Sequence, residues 1–159
     1  MNAHRTLLLL ALGLGLLAVA GCSTIGDFLF GKGPPRTALR EITVSTDIAA
    51  NGGNATMLDI VFVYDSAAIA RLPQTGPEWF KQKRALQNAL ATSIDVVALE
   101  IPAAAPDFQV SFPERASKAI GVYALANYLS ADGQPIANLT PWRQATIRLL
   151  PTAITYSAQ

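Results

Sequence analysis

Few residues in this chain could do chemistry, and their types limit what that chemistry is. One cysteine, Cys22, and one histidine, His4, occur in 159 residues. His4 sits in a stretch with the marks of an export signal, so the mature chain is expected to hold no histidine. That removes Ser-His-Asp and Cys-His catalysis and the usual zinc ligand sets. The acids Asp59, Asp65, Asp95, Glu100 and Asp107 remain. Two carboxylates brought together in space can hydrolyse a glycosidic bond. These five show no extended polar cleft around them, and solvation at the surface is the expected role. Gly31-Lys32-Gly33 lacks the further glycine and the Ser/Thr of a phosphate-binding loop. No metal site is expected, and the chain reads as a non-enzyme.

The thiol has a use of its own. Arg5 precedes an uninterrupted apolar and glycine run, Leu7–Ala20. A membrane-spanning helix needs about 20 apolar residues, whereas the core of a signal peptide needs about 7–15. Val19-Ala20-Gly21-Cys22 resembles the lipobox of bacterial lipoproteins, whose cysteine receives a diacylglyceryl group before cleavage on its N-terminal side. Small residues ahead of the cut give the peptidase room, and a thiol can form the thioether. Two or three acyl chains anchor stably, since each buried CH₂ contributes about 0.8 kcal/mol. The only prosthetic group expected is this covalent lipid on Cys22. Ser23 follows it where enteric-type sorting would read Asp as inner-membrane retention. The expected location is therefore the periplasmic side of the outer membrane.

Composition agrees with this division. The whole chain has 12 Lys+Arg, 11 Asp+Glu and 51% apolar residues, with a mean hydropathy of +0.31. Fourteen of the first 21 residues are apolar and one is charged, so the surplus hydrophobicity is concentrated there. The formal charge of the remainder is zero, which gives no basic footprint for nucleic acid. A single cysteine rules out an internal disulfide framework. The expected layout is a signal peptide over 1–21, a lipidated N-terminus and Gly/Pro-rich tether over 22–37, and one folded domain over 38–159.

Within that domain the apolar period is mostly two. Ile42, Val44 and Ile48 share one face of a strand beginning near Arg40. Asn51-Gly52-Gly53-Asn54 is a turn cluster, because Gly and Asn tolerate positive φ. Met57–Tyr64 sets Leu58, Ile60, Phe62 and Tyr64 on one face and Asp59, Val61 and Val63 on the other, as in a central strand. Ser66–Leu72 is a short helix ended by Pro73. A second helix starts at Thr75-Gly76-Pro77-Glu78, with Thr75 as cap, and runs to about Ala91. It turns Trp79, Leu86 and Leu90 inward, and its basic residues Lys81, Lys83 and Arg84 read as a solvated face. Further strands are expected over Ile94–Ile101, Phe108–Phe112, Ala119–Leu129 and Trp142–Leu150. Five or six strands with one helical insertion and no βαβ alternation indicate a mainly β fold, an antiparallel β-sandwich.

Several of these segments are similar to a known family. Asn51-Gly52-Gly53-Asn54 followed by Leu58-Asp59-Ile60-Val61-Phe62-Val63-Tyr64, then Ile120–Tyr128, then Trp142-Arg143, resemble the outer-membrane lipoprotein of type VI secretion systems (the TssJ, or SciN, family). The resemblance implies a transthyretin-like sandwich with an extra helix. It implies a partner as well, the periplasmic part of a TssM-like inner-membrane component. The contact would be the loop between the first two strands, Ala49–Thr56 here, with Asn51, Gly52, Gly53 and Asn54 as the favoured residues. Other readings of the same residues are a pilotin-like envelope lipoprotein and a periplasmic ligand-binding or hydrolytic lipoprotein. A deep polar pocket lined by Asp59, Asp95 and Glu100 would favour the last of these.

Overall fold

The alternation along Leu58–Val63 is the key to the architecture, because it makes one strand that two different layers can cover. The computed structural model describes residues 33–158. The signal peptide, Cys22 and the tether as far as residue 32 lie outside the described residues. From Arg36 onward the chain is one compact unit. It takes in Thr37, the last residue assigned to the tether: Thr37 is buried, and its N–H donates to Ala119 O at 2.8 Å.

The strands are β1 (Glu41–Thr46), β2 (Thr56–Val63), β3 (Ile94–Ile101), β4 (Phe108–Gln109), β5 (Gly121–Asn127), β6 (Ala137–Asn138), β7 (Gln144–Leu149) and β8 (Ile154–Ala158). Two helices, α1 (Ser66–Ile69) and α2 (Gly76–Ala89), lie between β2 and β3. The strands form two four-stranded sheets, in the orders β4-β1-β7-β8 and β3-β2-β5-β6. The chain is thus mainly β, a two-sheet sandwich with a helical insertion, as the periodicity indicates.

One detail differs. The β3-β2-β5-β6 sheet is antiparallel throughout, but β1 and β7 pair in parallel, from Glu41 opposite Gln144 to Thr46 opposite Leu149. A parallel pair needs a crossover connection rather than a hairpin. Here that connection comprises the whole opposite sheet, both helices and the short β4.

The face of β2 carrying Leu58, Ile60 and Phe62 packs with Ile42 and Val44 of β1 and Ala145, Ile147 and Leu149 of β7. The other face, with Val61 and Val63, meets Trp79, Leu86 and Leu90 of the α2 segment. Both faces agree with the pattern expected for a central strand. Outside β2 the agreement is looser. Ile48 lies beyond the end of β1 and is 82% exposed, because the chain has already turned toward the second sheet. The segment Phe108–Phe112 forms a strand only over Phe108–Gln109, and Phe112 instead packs edge-on to Phe62 with ring centroids 5.1 Å apart. Two strands, β6 and β8, have no counterpart in the expected set.

At the start of α2, Pro77 occupies the first turn, but the Thr75 side chain makes no capping bond. Thr75 is extended and bridges Pro135 of the neighbouring segment. Gly76 is required by packing: a Cβ there would stand 1.6 Å from Ala126 O. This is how closely the helix start approaches β5.

Candidate functional site

Between β1 and β2 the chain leaves one sheet and enters the other, so its polar backbone must be satisfied at the end of the sandwich. Asn51 does this. Its backbone is left-handed (φ 51°), a conformation Asn adopts more readily than most non-glycine residues. The Asn51 N–H donates to Leu150 O at 3.1 Å and to Tyr128 Oη at 3.2 Å. Its side-chain Oδ1 accepts from Leu129 N–H at 2.8 Å, and its Nδ2 donates to Ala55 O at 3.2 Å. Tyr128 Oη–H donates in turn to Leu150 O. Burial pushes the Tyr128 phenol up from its ordinary value. One residue thus ties the loop to the end of β5 through its side chain and to the turn after β7 through its backbone N–H.

The residues beyond it face outward. Gly52 (φ 63°) and Gly53 (φ 81°) are also left-handed. Gly52 N–H donates to Pro151 O at 3.0 Å, and Asn54 Nδ2 donates to Asn51 O at 3.2 Å. Gly52, Gly53 and Asn54 are exposed, while Asn51 is buried. Leu129, 71% exposed, lies against this loop, with its Cδ1 3.7 Å from where a Gly52 Cβ would stand. The four expected contact residues therefore divide into one inward strut and three outward residues. The loop is bonded at both ends before any partner meets it, and backbone already ordered has little entropy left to lose on binding.

Asp65, Glu100 and Asp107 are exposed as expected, but two clusters take Asp59 and Asp95 out of that solvated set. Asp59 is 1% exposed. Its Oδ2 accepts from Trp79 Nε1 at 2.7 Å and pairs with Lys83 Nζ at 2.7 Å. Lys83 is thus half-buried and paired with a buried acid, not part of a solvated basic face. The signal lay in the spacing: Trp79 and Lys83 are four apart on one helix face, and Asp59 shares its strand face with Val61 and Val63.

Asp95 is held by the fork of Arg115, with Nε on Oδ2 and Nη2 on Oδ1, both at 2.8 Å. Tyr64 Oη–H donates to the same carboxylate at 2.7 Å, and the Arg115 guanidinium stacks 4.0 Å from the Tyr64 ring centroid. Hydrogen bonds from Arg115 hold the Asp95 carboxyl below its ordinary range. Burial, with the Asp95 hydrogen bond second, pushes the Tyr64 phenol strongly up.

The acids do not form one polar pocket. A cavity of about 380 Å³ is lined by Met57, Asp59, Phe80, Lys83, Ala98, Leu99 and Glu100. Asp95 is absent from it, being committed to Arg115. Among the described residues no group of three or more His, Cys, Asp or Glu could hold a metal, and no helix is long and apolar enough to cross a membrane.

No family model matches the chain, and no curated protein sequence does. Solved structures do. The Serratia marcescens Lip, a membrane-bound component of the type VI secretion system, superposes with TM-score 0.50 at 10% identity over 75% of this chain and 96% of that one. A chain of the T6SS TssM C-terminal domain structure from EAEC gives TM-score 0.51 at 13% identity, covering 74% and 98%. The T6SS lipoprotein TssJ1 from Pseudomonas aeruginosa gives 0.49 at 16% identity, covering 79% and 98%. At these identities the likeness is one of fold: the sandwich described above is the fold of Lip.

Proposed function

We propose that this chain is a non-enzymatic lipoprotein of the outer membrane that anchors and assembles a type VI secretion membrane complex. Its acylated Cys22 holds it to the inner leaflet, the tether gives it reach, and the sandwich docks the periplasmic part of a TssM-like inner-membrane partner. The observation that carries this reading is the conjunction of a lipobox, Val19-Ala20-Gly21-Cys22, with a downstream domain sharing the fold of Lip. The strand and loop motifs that resemble the TssJ family add to it.

The end of the sandwich suits docking. Gly52, Gly53 and Asn54 offer backbone and amide groups without bulky side chains, and Leu129 adds an exposed apolar contact beside them. Asn51 keeps that surface in shape from inside.

The test is co-purification of the full lipidated chain from detergent-solubilised membranes of its own host, with partners identified by mass spectrometry. Recovery of a large inner-membrane protein with a periplasmic C-terminal region, lost when Cys22→Ser prevents labelled palmitate incorporation, is the expected result. Palmitate labelling of Cys22→Ser, or the absence of any such partner, would overturn the reading.

A further inference from the structure

The sheet edges of this molecule are treated unequally. An edge strand exposes unpaired N–H and C=O groups, and proteins blunt such edges with short strands, lysine, proline or bulges. Here β4 and β6, the edges at one side of each sheet, are two residues long. β8 has five residues. β3 is the exception: eight residues, Ile94–Ile101, at the outer edge of its sheet.

Nothing blunts it. Its sequence IDVVALEI has no lysine, proline or glycine. It pairs with β2 residue for residue, from Ile101 opposite Thr56 to Ile94 opposite Val63, so there is no bulge. In an antiparallel ladder every second residue turns its backbone groups away from the partner strand. Among the described residues, no hydrogen bond outside the β2 ladder reaches the backbone of Val96–Ile101.

Beside the second half of this edge lies the 380 Å³ cavity, with Met57, Phe80 and Ala98 as its apolar lining and Glu100 among its acids. Lys83 already compensates Asp59. Glu100 is exposed and has no ion pair among the described residues. The uncompensated charge at this cavity is therefore negative.

The geometry points to β3 as a strand-addition site for an extended segment of another protein, with one basic side chain entering the cavity. Main-chain bonds to β3 supply the affinity common to any strand, and the pocket supplies the choice. The aliphatic stem of a Lys or Arg lies on Met57, Phe80 and Ala98, and its cation meets Glu100. A second copy of this chain fits worse. Centred antiparallel pairing of two β3 strands sets Asp95 opposite Glu100 twice, and like charges directly opposite are destabilising. The inference does not rest on the type VI reading and does not involve Gly52–Asn54.

The probe is a short synthetic peptide of alternating Thr and Val with one central lysine, and a counterpart with glutamate there, added to the full-length chain in detergent. Hydrogen exchange resolved by residue reads the outcome. The lysine peptide slows exchange across Val96–Ile101 and binds roughly tenfold more tightly than the glutamate peptide. Glu100→Lys, a change at an exposed position, reverses that order while leaving the melting temperature in place. Exchange in β3 that saturating peptide leaves unchanged, or equal binding of the two peptides, would overturn the proposal. Protection of β3 that grows with protein concentration in the absence of peptide would overturn it in favour of self-pairing.

Discussion

Two polar networks interrupt this apolar sandwich, and they solve different problems. Under α2, Asp59 is a buried charge held by Trp79 and Lys83. At the end of the sandwich, Asn51 is buried, its neutral side-chain amide held by the backbone of Ala55 and Leu129 and its own N–H donating to Tyr128 Oη. The first joins a helix to a sheet and exposes nothing new. The second joins both sheets at the crossover and projects Gly52, Gly53 and Asn54 into solvent. A charge in an apolar site is costly unless paired, so its network is rigid and matters for stability. A neutral amide costs less to bury, and here it shapes an exposed surface.

The largest expected effect lies on the charged side. Asp59→Ala leaves the Lys83 ammonium and the Trp79 indole N–H without their acceptor, and should destabilise the fold by about 3–5 kcal/mol. Urea unfolding of the variant checks this; a loss below about 1 kcal/mol would place Asp59 with ordinary surface acids. Where the variant is still folded, its docking should match the wild type.

Next comes the neutral network. Asn51→Ala removes the acceptor for Leu129 N–H and puts a Cβ residue without a compensating amide at positive φ, which should cost about 1–3 kcal/mol. Docking should weaken together with that loss, because the loop's shape depends on the amide. An Asn51→Ala variant with lowered stability and unchanged docking would break the division between the two networks.

The Asp95 cluster gives a smaller effect with a definite sign. Its folded carboxyl is depressed by Arg115, so its contribution to stability is present above the unfolded value and is lost as pH falls through the folded one. The Arg115 side chain is 37% exposed, and solvent screening keeps the contribution below about 1 kcal/mol. A carboxyl chemical-shift titration should place Asp95 below 3.8, the ordinary aspartate value, and Arg115→Met should return it toward that value. Smallest of all, Lys81→Ala and Arg84→Ala on the exposed face of α2 should change stability by no more than about 0.5 kcal/mol.

How legible all this was in the sequence depends on range. The two-faced pattern of Leu58–Val63, the inward side of Trp79, Leu86 and Leu90, and the Asn/Gly crossover are local, and period and turn chemistry reveal them. The parallel pairing of β1 with β7 joins residues about a hundred positions apart and leaves no local mark. β8 is five residues long, too short for its alternation to stand out from the sequence around it. Ile48 continued the period of β1 but fell beyond the point where the chain changes sheets. Asp65, Glu100 and Asp107 are exposed as charge patterning suggests, whereas Asp59 is buried by a helix whose docking is set by Gly76 against Ala126. Asn51 is legible as a loop residue, but its inward direction follows from contacts with Tyr128, Leu129 and Leu150 far along the chain.

The central claim is that the crossover loop docks a periplasmic partner and that its charged counterpart under α2 does not. The most direct measurement is the affinity of the full lipidated chain, in detergent, for the periplasmic region of the inner-membrane protein recovered with it. It should compare the wild type with a chain in which Gly52 and Gly53 are both replaced by valine. The account predicts binding weakened by roughly a hundredfold or more, with thermal unfolding still cooperative. Binding equal to the wild type in that folded variant would contradict it.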